Sequence, residues 1–297
     1  MTLAEAVPLC LVVVERILQR AEVRTLAIKG PAFATLGVRP ERLSMDVDVL
    51  VDPAQRHLAL ETLRSAGWTD WAPESLYQPF EAHSKTLEHP LWPCSLDLHW
   101  TFPGFLALPE TTFEALWEAR ACVEIAHQPV DTLCRPHALA LETLHVLRDC
   151  PQDSEHQFVR GVLAAMPQEL TSEETQALGD LLERTGASQT LAPLAELTGA
   201  KASASVSDNI RDPALESWRH RQRAAGVPMG WWFQTARERP LSALKTLATH
   251  SWLSDAQART WAKASGIDYP GRWRVMRLRV FKGLTAVRIH VRRRLGD

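Results

Sequence analysis

The chain has 297 residues with 33 Lys+Arg against 35 Asp+Glu, enough length for one sizeable core or two modest domains. A formal charge of −2, with 45% apolar and 23% charged residues, excludes a disordered chain and a surface that is uniformly a polyanion-binding field. Five cysteines, Cys10, Cys94, Cys122, Cys134 and Cys150, are odd in number and form no CxxC pair, which argues for reduced, buried thiols over a disulfide framework or a thiolate zinc site.

The first segment, residues 3 to 20, fits an amphipathic helix with Leu11, Val14, Ile17 and Leu18 on one stripe. Its apolar run is broken by Glu and Arg and has no basic leader, unlike a signal peptide, and no apolar stretch approaches about 18 residues, so the expected location is the cytoplasm. Arg24 to Lys29 reads as a short strand, and Gly30-Pro31 punctuates it before a helix opening at PAFATL. Ser44 to Val51 is a second strand ended by Asp52-Pro53, and Pro53 to Ala66 a helix. Short strands are expected at Trp68 to Trp71 and Ser84 to Glu88, and a stronger one at Cys94 to Trp100. The last places Ser95, Asp97 and His99 on one face and Cys94, Leu96, Leu98 and Trp100 on the other.

From Pro109 onward the pattern is mostly helical, near 111 to 119, 136 to 149, 155 to 166, 172 to 185 and 189 to 198, with a strand near Ala121 to Ala126. The polar run KASASVSDNIRDP, residues 200 to 212, is the best linker candidate. The expected architecture is α+β: a small mixed sheet flanked by helices over residues 1 to 128, then a mostly helical region, 129 to 297. That second region is expected to serve as substrate or partner surface and to end in a basic segment. Residues 271 to 297 carry eight Arg and one Lys against one acid, leaving 24 basic and 34 acidic residues before them. The tail suits three targets: nucleic acid, an anionic membrane surface, or the acidic body of the same chain.

The sharpest chemistry lies in MDVDVLVD. Asp46 and Asp48, one residue apart in a strand, point to the same side with Cα atoms roughly 6.6 Å apart. Two carboxylates facing one small volume repel unless a cation or basic side chain neutralises them, and Mg2+ is the natural oxygen-ligated candidate. A solvated strand edge is the structural alternative. Lys29 and Gly30 sit at a strand-to-helix junction suited to a phosphate, or simply to a turn with a solvated lysine. Arg42, four residues before Asp46, suits either an ion pair with the carboxylates or a clamp on a triphosphate oxygen. Asp97 offers a third carboxylate, as metal ligand or as general base toward an acceptor hydroxyl. His99, on the same face, suits either a structural role or metal ligation.

The run IKGPAFATLGVRPERLSMDVDVLV followed by SLDLHW resembles the uncharacterised bacterial nucleotidyltransferase-like family of the DNA polymerase β superfamily, over about residues 20 to 105. Lys29 and Gly30, Arg42, Asp46 and Asp48, and Asp97 with His99 match its motif positions. The resemblance implies a Mg2+ site at Asp46, Asp48 and Asp97, with Lys29, Gly30 and Arg42 binding the nucleotide. It further implies transfer of a nucleoside monophosphate from an NTP, ATP among them, to a small-molecule, peptide or protein acceptor, with release of pyrophosphate. Gly30-Pro31 departs from the superfamily's Gly-Ser signature by removing a hydroxyl and an amide. A catalytically degenerate binding or scaffolding protein and a phosphotransferase are the alternatives.

Overall fold

The computed structural model describes residues 1–71, 83–148, 150, 154–201 and 213–224, together with scattered residues between 253 and 281. The candidate linker beyond residue 201, Trp231, Trp232, Trp252 and Trp261, and most of the basic tail lie outside the described residues.

Helix α1, Leu3–Arg20, starts where Glu5 reaches back to accept the Thr2 amide at 2.8 Å, and it buries Cys10, Leu11, Val14 and Leu18. Strand β1, Thr25–Ile28, is buried along its whole length and runs into α2, Gly30–Thr35. Strand β2 spans Asp46–Val51. After it, Asp52 accepts the Ala54 amide at 2.9 Å and caps a 3-10 turn, Pro53–Gln55, which feeds α3, Arg56–Ser65. Strands β3 (Thr69–Asp70), β4 (Ser84–Glu88) and β5 (Ser95–His99) follow. Then come α4 (Pro109–Glu118), β6 (Arg120–Ile125), β7 (Gln128–Leu133) and α5 (Arg135–Leu147). Helices α6 (Glu155–Ala164), α7 (Ser172–Arg184), α8 (Ala192–Thr198) and α9 (Pro213–Ala224) complete the described elements.

The seven strands form one mixed sheet in the order β3-β4-β5-β2-β1-β7-β6. Pairings β1–β7 and β2–β5 are parallel and the other four antiparallel. Strand β7 is absent from the sequence expectation. Its hairpin turns through Ala126 and His127 at φ 48° and 60°, with no glycine or asparagine to signal it, and Pro129 sits inside the strand. The proline is tolerated because β7 meets β1 only at Ala27↔Thr132, so Pro129 needs no second ladder partner.

One core holds the sheet and helices α1 through α8 together, with Trp68, Phe33, Phe102 and Phe113 its largest fully buried side chains. It belongs to a compact unit of residues Met1–Trp71, Ala82–Arg148 and Asp153–Trp218. A second unit, mainly Arg219–Asp297, has its own small cluster of Leu253, Ala258, Ala262 and Val275. There Asp255 accepts hydrogen bonds from Tyr269 and, at 2.9 Å, from Arg259. Cys10, Cys94 and Cys150 are buried and Cys134 half-buried, but Cys122 is exposed on β6, contrary to the expectation that the thiols are buried. Among the described residues no helix is long and apolar enough to cross a membrane.

Candidate active site

The strand order places β2 between β1 and β5, and the register does the rest. Asp48 lies opposite Asp97 across the parallel β2–β5 pair and opposite Ile28 across the antiparallel β1–β2 pair. Side chains at one level of adjacent strands share a face, so two carboxylates more than forty residues apart in sequence meet there. His99, opposite Leu50, adds an imidazole two residues farther along the same face of β5.

The next residue after β1 is Lys29, held at φ 60°, ψ −153°, a conformation that side chains other than glycine's rarely adopt. Gly30 follows at φ 44°, and a Cβ there would meet only Ser44 Oγ, at 3.8 Å, so the backbone angle is what calls for glycine. The turn points Lys29 Nζ at Asp48 Oδ1, 2.6 Å away, and His99 Nε2 lies 2.9 Å from the same oxygen. All three side chains are buried, at 10%, 5% and 2% exposure for Lys29, Asp48 and His99.

Burial would push the Asp48 carboxyl up, but the His99 hydrogen bond and the Lys29 charge outweigh it and hold the group down at about 2. Asp46 moves the other way. Half-buried, it is raised first by desolvation and then by the charges of Asp48 and Asp97, against a hydrogen bond from Ser44 Oγ at 3.1 Å. Asp97 accepts a 2.6 Å hydrogen bond from Thr86 Oγ1, its direct neighbour on β4.

Ligand atoms of Asp48, Asp97 and His99 lie within 4.8 Å of one another. Three features fit this face to a divalent cation. The donor set is two carboxylates and an imidazole, Asp46 stands beside them with its charged form disfavoured by burial and by the charges of Asp48 and Asp97, and His99 Nδ1 is buried without a hydrogen-bond partner among the described residues. His99 Nε2 can donate to Asp48 or ligate a metal, but not both at once. A mixed oxygen and nitrogen set suits several divalent metals and does not single out Mg2+.

Of the residues expected from sequence, the fold thus gathers Lys29, Asp48 and Asp97, sets Asp46 next to them, and places Gly30 at the adjoining turn. Arg42 is exposed on the loop before β2. Arg39 is buried, and the charges of Arg42, Asp48 and Asp46 reach it. Thr86 and Arg39 were not identified by sequence reasoning. Thr86 becomes visible only once the β4–β5 register is known, and Arg39 carries no signal that separates it from Arg42.

Residues 10–157 match the profile of a family described as an uncharacterised nucleotidyltransferase. This segment belongs to that family. No curated protein sequence matches the chain. Similar solved structures include the lincosamide antibiotic adenylyltransferase LnuA in its lincomycin-bound form, at 14% identity over 52% of this chain and 94% of that one, with a TM-score of 0.33. An antigenic nucleotidyltransferase-like protein from Paracoccidioides brasiliensis is 18% identical over 68% and 95%, with a TM-score of 0.40. The antibiotic-resistance factor ANT(2'')-Ia is 14% identical over 67% and 99%, with a TM-score of 0.38.

Proposed function

We propose that the chain is a metal-dependent nucleotidyltransferase that moves a nucleoside monophosphate from an NTP to the hydroxyl of an acceptor and releases pyrophosphate. One observation carries the reading: Asp48 and Asp97 stand side by side in register, with His99 two residues farther along β5, in a segment that belongs to a nucleotidyltransferase family.

In this reading Asp46, Asp48 and Asp97, with His99, hold the divalent cation, Mg2+ being the proposed one. A bound cation at that face supplies neutralisation of the charge on the transferring phosphoryl group and on the leaving pyrophosphate. Lys29 exchanges part of its contact with Asp48 for the phosphate chain, and Gly30 lets the backbone turn beneath it. With α2 only six residues long and Pro31 lacking an N–H, phosphate binding rests on the Lys29 charge more than on an aligned helix dipole. Arg42, exposed on its loop, is free to swing onto an outer phosphate oxygen. Asp97, half-buried and steadied by Thr86, accepts the proton of the attacking hydroxyl as the new O–P bond forms and the bond to pyrophosphate breaks. The helical region after residue 129 is proposed to choose the acceptor.

The test incubates the purified chain with Mg2+ or Mn2+, each NTP and a native extract, measuring pyrophosphate and identifying labelled acceptors by mass spectrometry. Release that depends on Asp97, with an added mass equal to an NMP, is the expected result. An added phosphate instead identifies a phosphotransferase, and no labelling with any NTP refutes transfer.

A second reading has an observation of its own. Lys29 and His99 both occupy Asp48 Oδ1, so the carboxylate is already neutralised from within, as in a family member kept for binding or scaffolding alone. Unimpaired function in cells after Asp48→Asn and Asp97→Asn substitution supports that reading over the enzyme.

A further inference from the structure

Charge divides unevenly along the chain. Residues 219–297, which make up most of the second unit, hold 17 Lys+Arg against 4 Asp+Glu, whereas residues 1–218 hold 16 against 31. Within that basic segment Gly271 opens a helix: its carbonyl accepts the Arg274 and Val275 amides, both at 3.1 Å, and residues 272–278 are helical. Val275 is fully buried with Leu253, Ala258 and Ala262, which fixes one side of the helix inward. The opposite side carries Trp273, Arg274, Arg277 and Leu278, all exposed. At about 100° per residue, Trp273 and Arg277 form one row and Arg274 and Leu278 the next. Both arginines therefore fall between the two apolar side chains. Arg272 lies over the Trp273 ring, 5.3 Å from its centroid, yet Trp273 is still 63% exposed. Phe281, 70% exposed, follows four residues past Arg277.

We propose that this exposed face binds single-stranded nucleic acid, with the Trp273 and Phe281 rings stacking on bases while Arg274 and Arg277 hold phosphates. An unpaired strand offers flat apolar bases spaced along a chain of negative charge, and the face answers both features with interleaved aromatic and basic side chains. The positive surplus of residues 219–297 draws the polyanion to it. A membrane surface fits less well. A helix lying in a lipid interface gathers its apolar side chains into one face apart from its charges, whereas here arginines separate Trp273 from Leu278 and Val275 is turned into the core. A duplex keeps its bases stacked inside and offers the rings nothing to stack on. Binding at this face requires neither NTP nor metal, so it stands apart from nucleotidyl transfer.

The test follows the fluorescence anisotropy of labelled oligo(U) and oligo(dT) of about 20 nucleotides, and of a duplex of the same length, with the full-length chain at about 50 to 200 mM salt. No NTP or divalent metal is added. At least one single strand is expected to bind at least tenfold more tightly than the duplex, and the ratio between the two strands distinguishes RNA from DNA as the source. Trp273→Ala/Phe281→Ala is expected to weaken that binding at least tenfold and to leave its salt dependence unchanged. Arg274→Gln/Arg277→Gln is expected to reduce the slope of log affinity against log salt by about 1.4, the share of two phosphates. All four side chains are exposed, so both variants keep their fold, which matched far-UV circular dichroism verifies. No binding of either strand, duplex binding as tight as single-strand binding, wild-type affinity in the aromatic variant or an unchanged slope in the arginine variant overturns the proposal. So does co-sedimentation with phosphatidylserine vesicles without binding of either strand.

Discussion

Replacing Asp48 with asparagine inverts the effect of a second substitution at Lys29. In the native chain Lys29 and Asp48 are both buried and 2.6 Å apart, so either single change leaves an uncompensated group, at a cost of about 3–5 kcal/mol for breaking a buried pair. The Asp48 carboxyl gives an independent lower bound. Its fall from 3.8 to about 2 favours the ionised form over the neutral one, which an asparagine side chain imitates, by about 2 kcal/mol more than in the unfolded chain. The Asp48→Asn variant retains an oxygen for His99 but offers Lys29 no charge. Removing the stranded ammonium in that background, by Lys29→Met, should therefore restore about 2 kcal/mol or more and bring the double variant within about 1 kcal/mol of wild type. In the wild-type background the same Lys29→Met change destabilises. Urea denaturation at pH 7, followed by tryptophan fluorescence and far-UV circular dichroism, measures all four proteins. If Lys29→Met has the same sign and size in both backgrounds, the pair is not the buried, coupled unit described. The Asp48 contribution is fully present above pH 3.8 and is lost as pH falls through about 2.

Glu15, largely buried and accepting the Asp131 amide at 2.9 Å, is raised by burial to about 7. Its neutral form favours folding, so that contribution is complete below pH 4.5 and lost as pH rises through about 7. Glu15→Gln should flatten the decline, gaining up to about 3 kcal/mol at pH 8 and little at pH 4.5 by the same urea assay. Two helical glycines should respond oppositely to alanine. Gly179→Ala drives a Cβ to 2.5 Å from the Lys201 carbonyl oxygen and should cost about 1–3 kcal/mol, whereas Gly161→Ala meets open space and should gain about 0.5–1 kcal/mol. Gly30→Ala should cost only about 1–2 kcal/mol, all of it from the φ of 44°, since no atom lies closer than 3.8 Å. Midpoint shifts in urea check all three.

Local signals carried most of the fold. Gly30-Pro31 and Asp52-Pro53 mark element ends by chemistry that acts over a few residues, and β1 and β2 end just before them. Strand β7 was not legible because its turn uses Ala126 and His127 in conformations that glycine or asparagine would normally announce. Alternation along β2 and β5 sufficed to put Asp46 with Asp48, and Asp97 with His99, each pair on one face. That the two faces coincide is a matter of the β2–β5 register, which lies in no local pattern. Arg39 and Glu142 illustrate the same limit. Each reads as an ordinary surface charge in its own segment, and only the packing around α5 and α6 buries them.

Nucleotidyl transfer as proposed requires the Asp48, Asp97 and His99 face to hold a divalent cation. Its most direct test is a titration of the full chain with Mn2+, following the loss of the free-ion electron paramagnetic resonance signal, for wild type and Asp97→Asn at matched urea midpoints. Wild type is expected to bind the ion, and the variant at least tenfold more weakly. Equal binding by both proteins, or none by wild type, contradicts it.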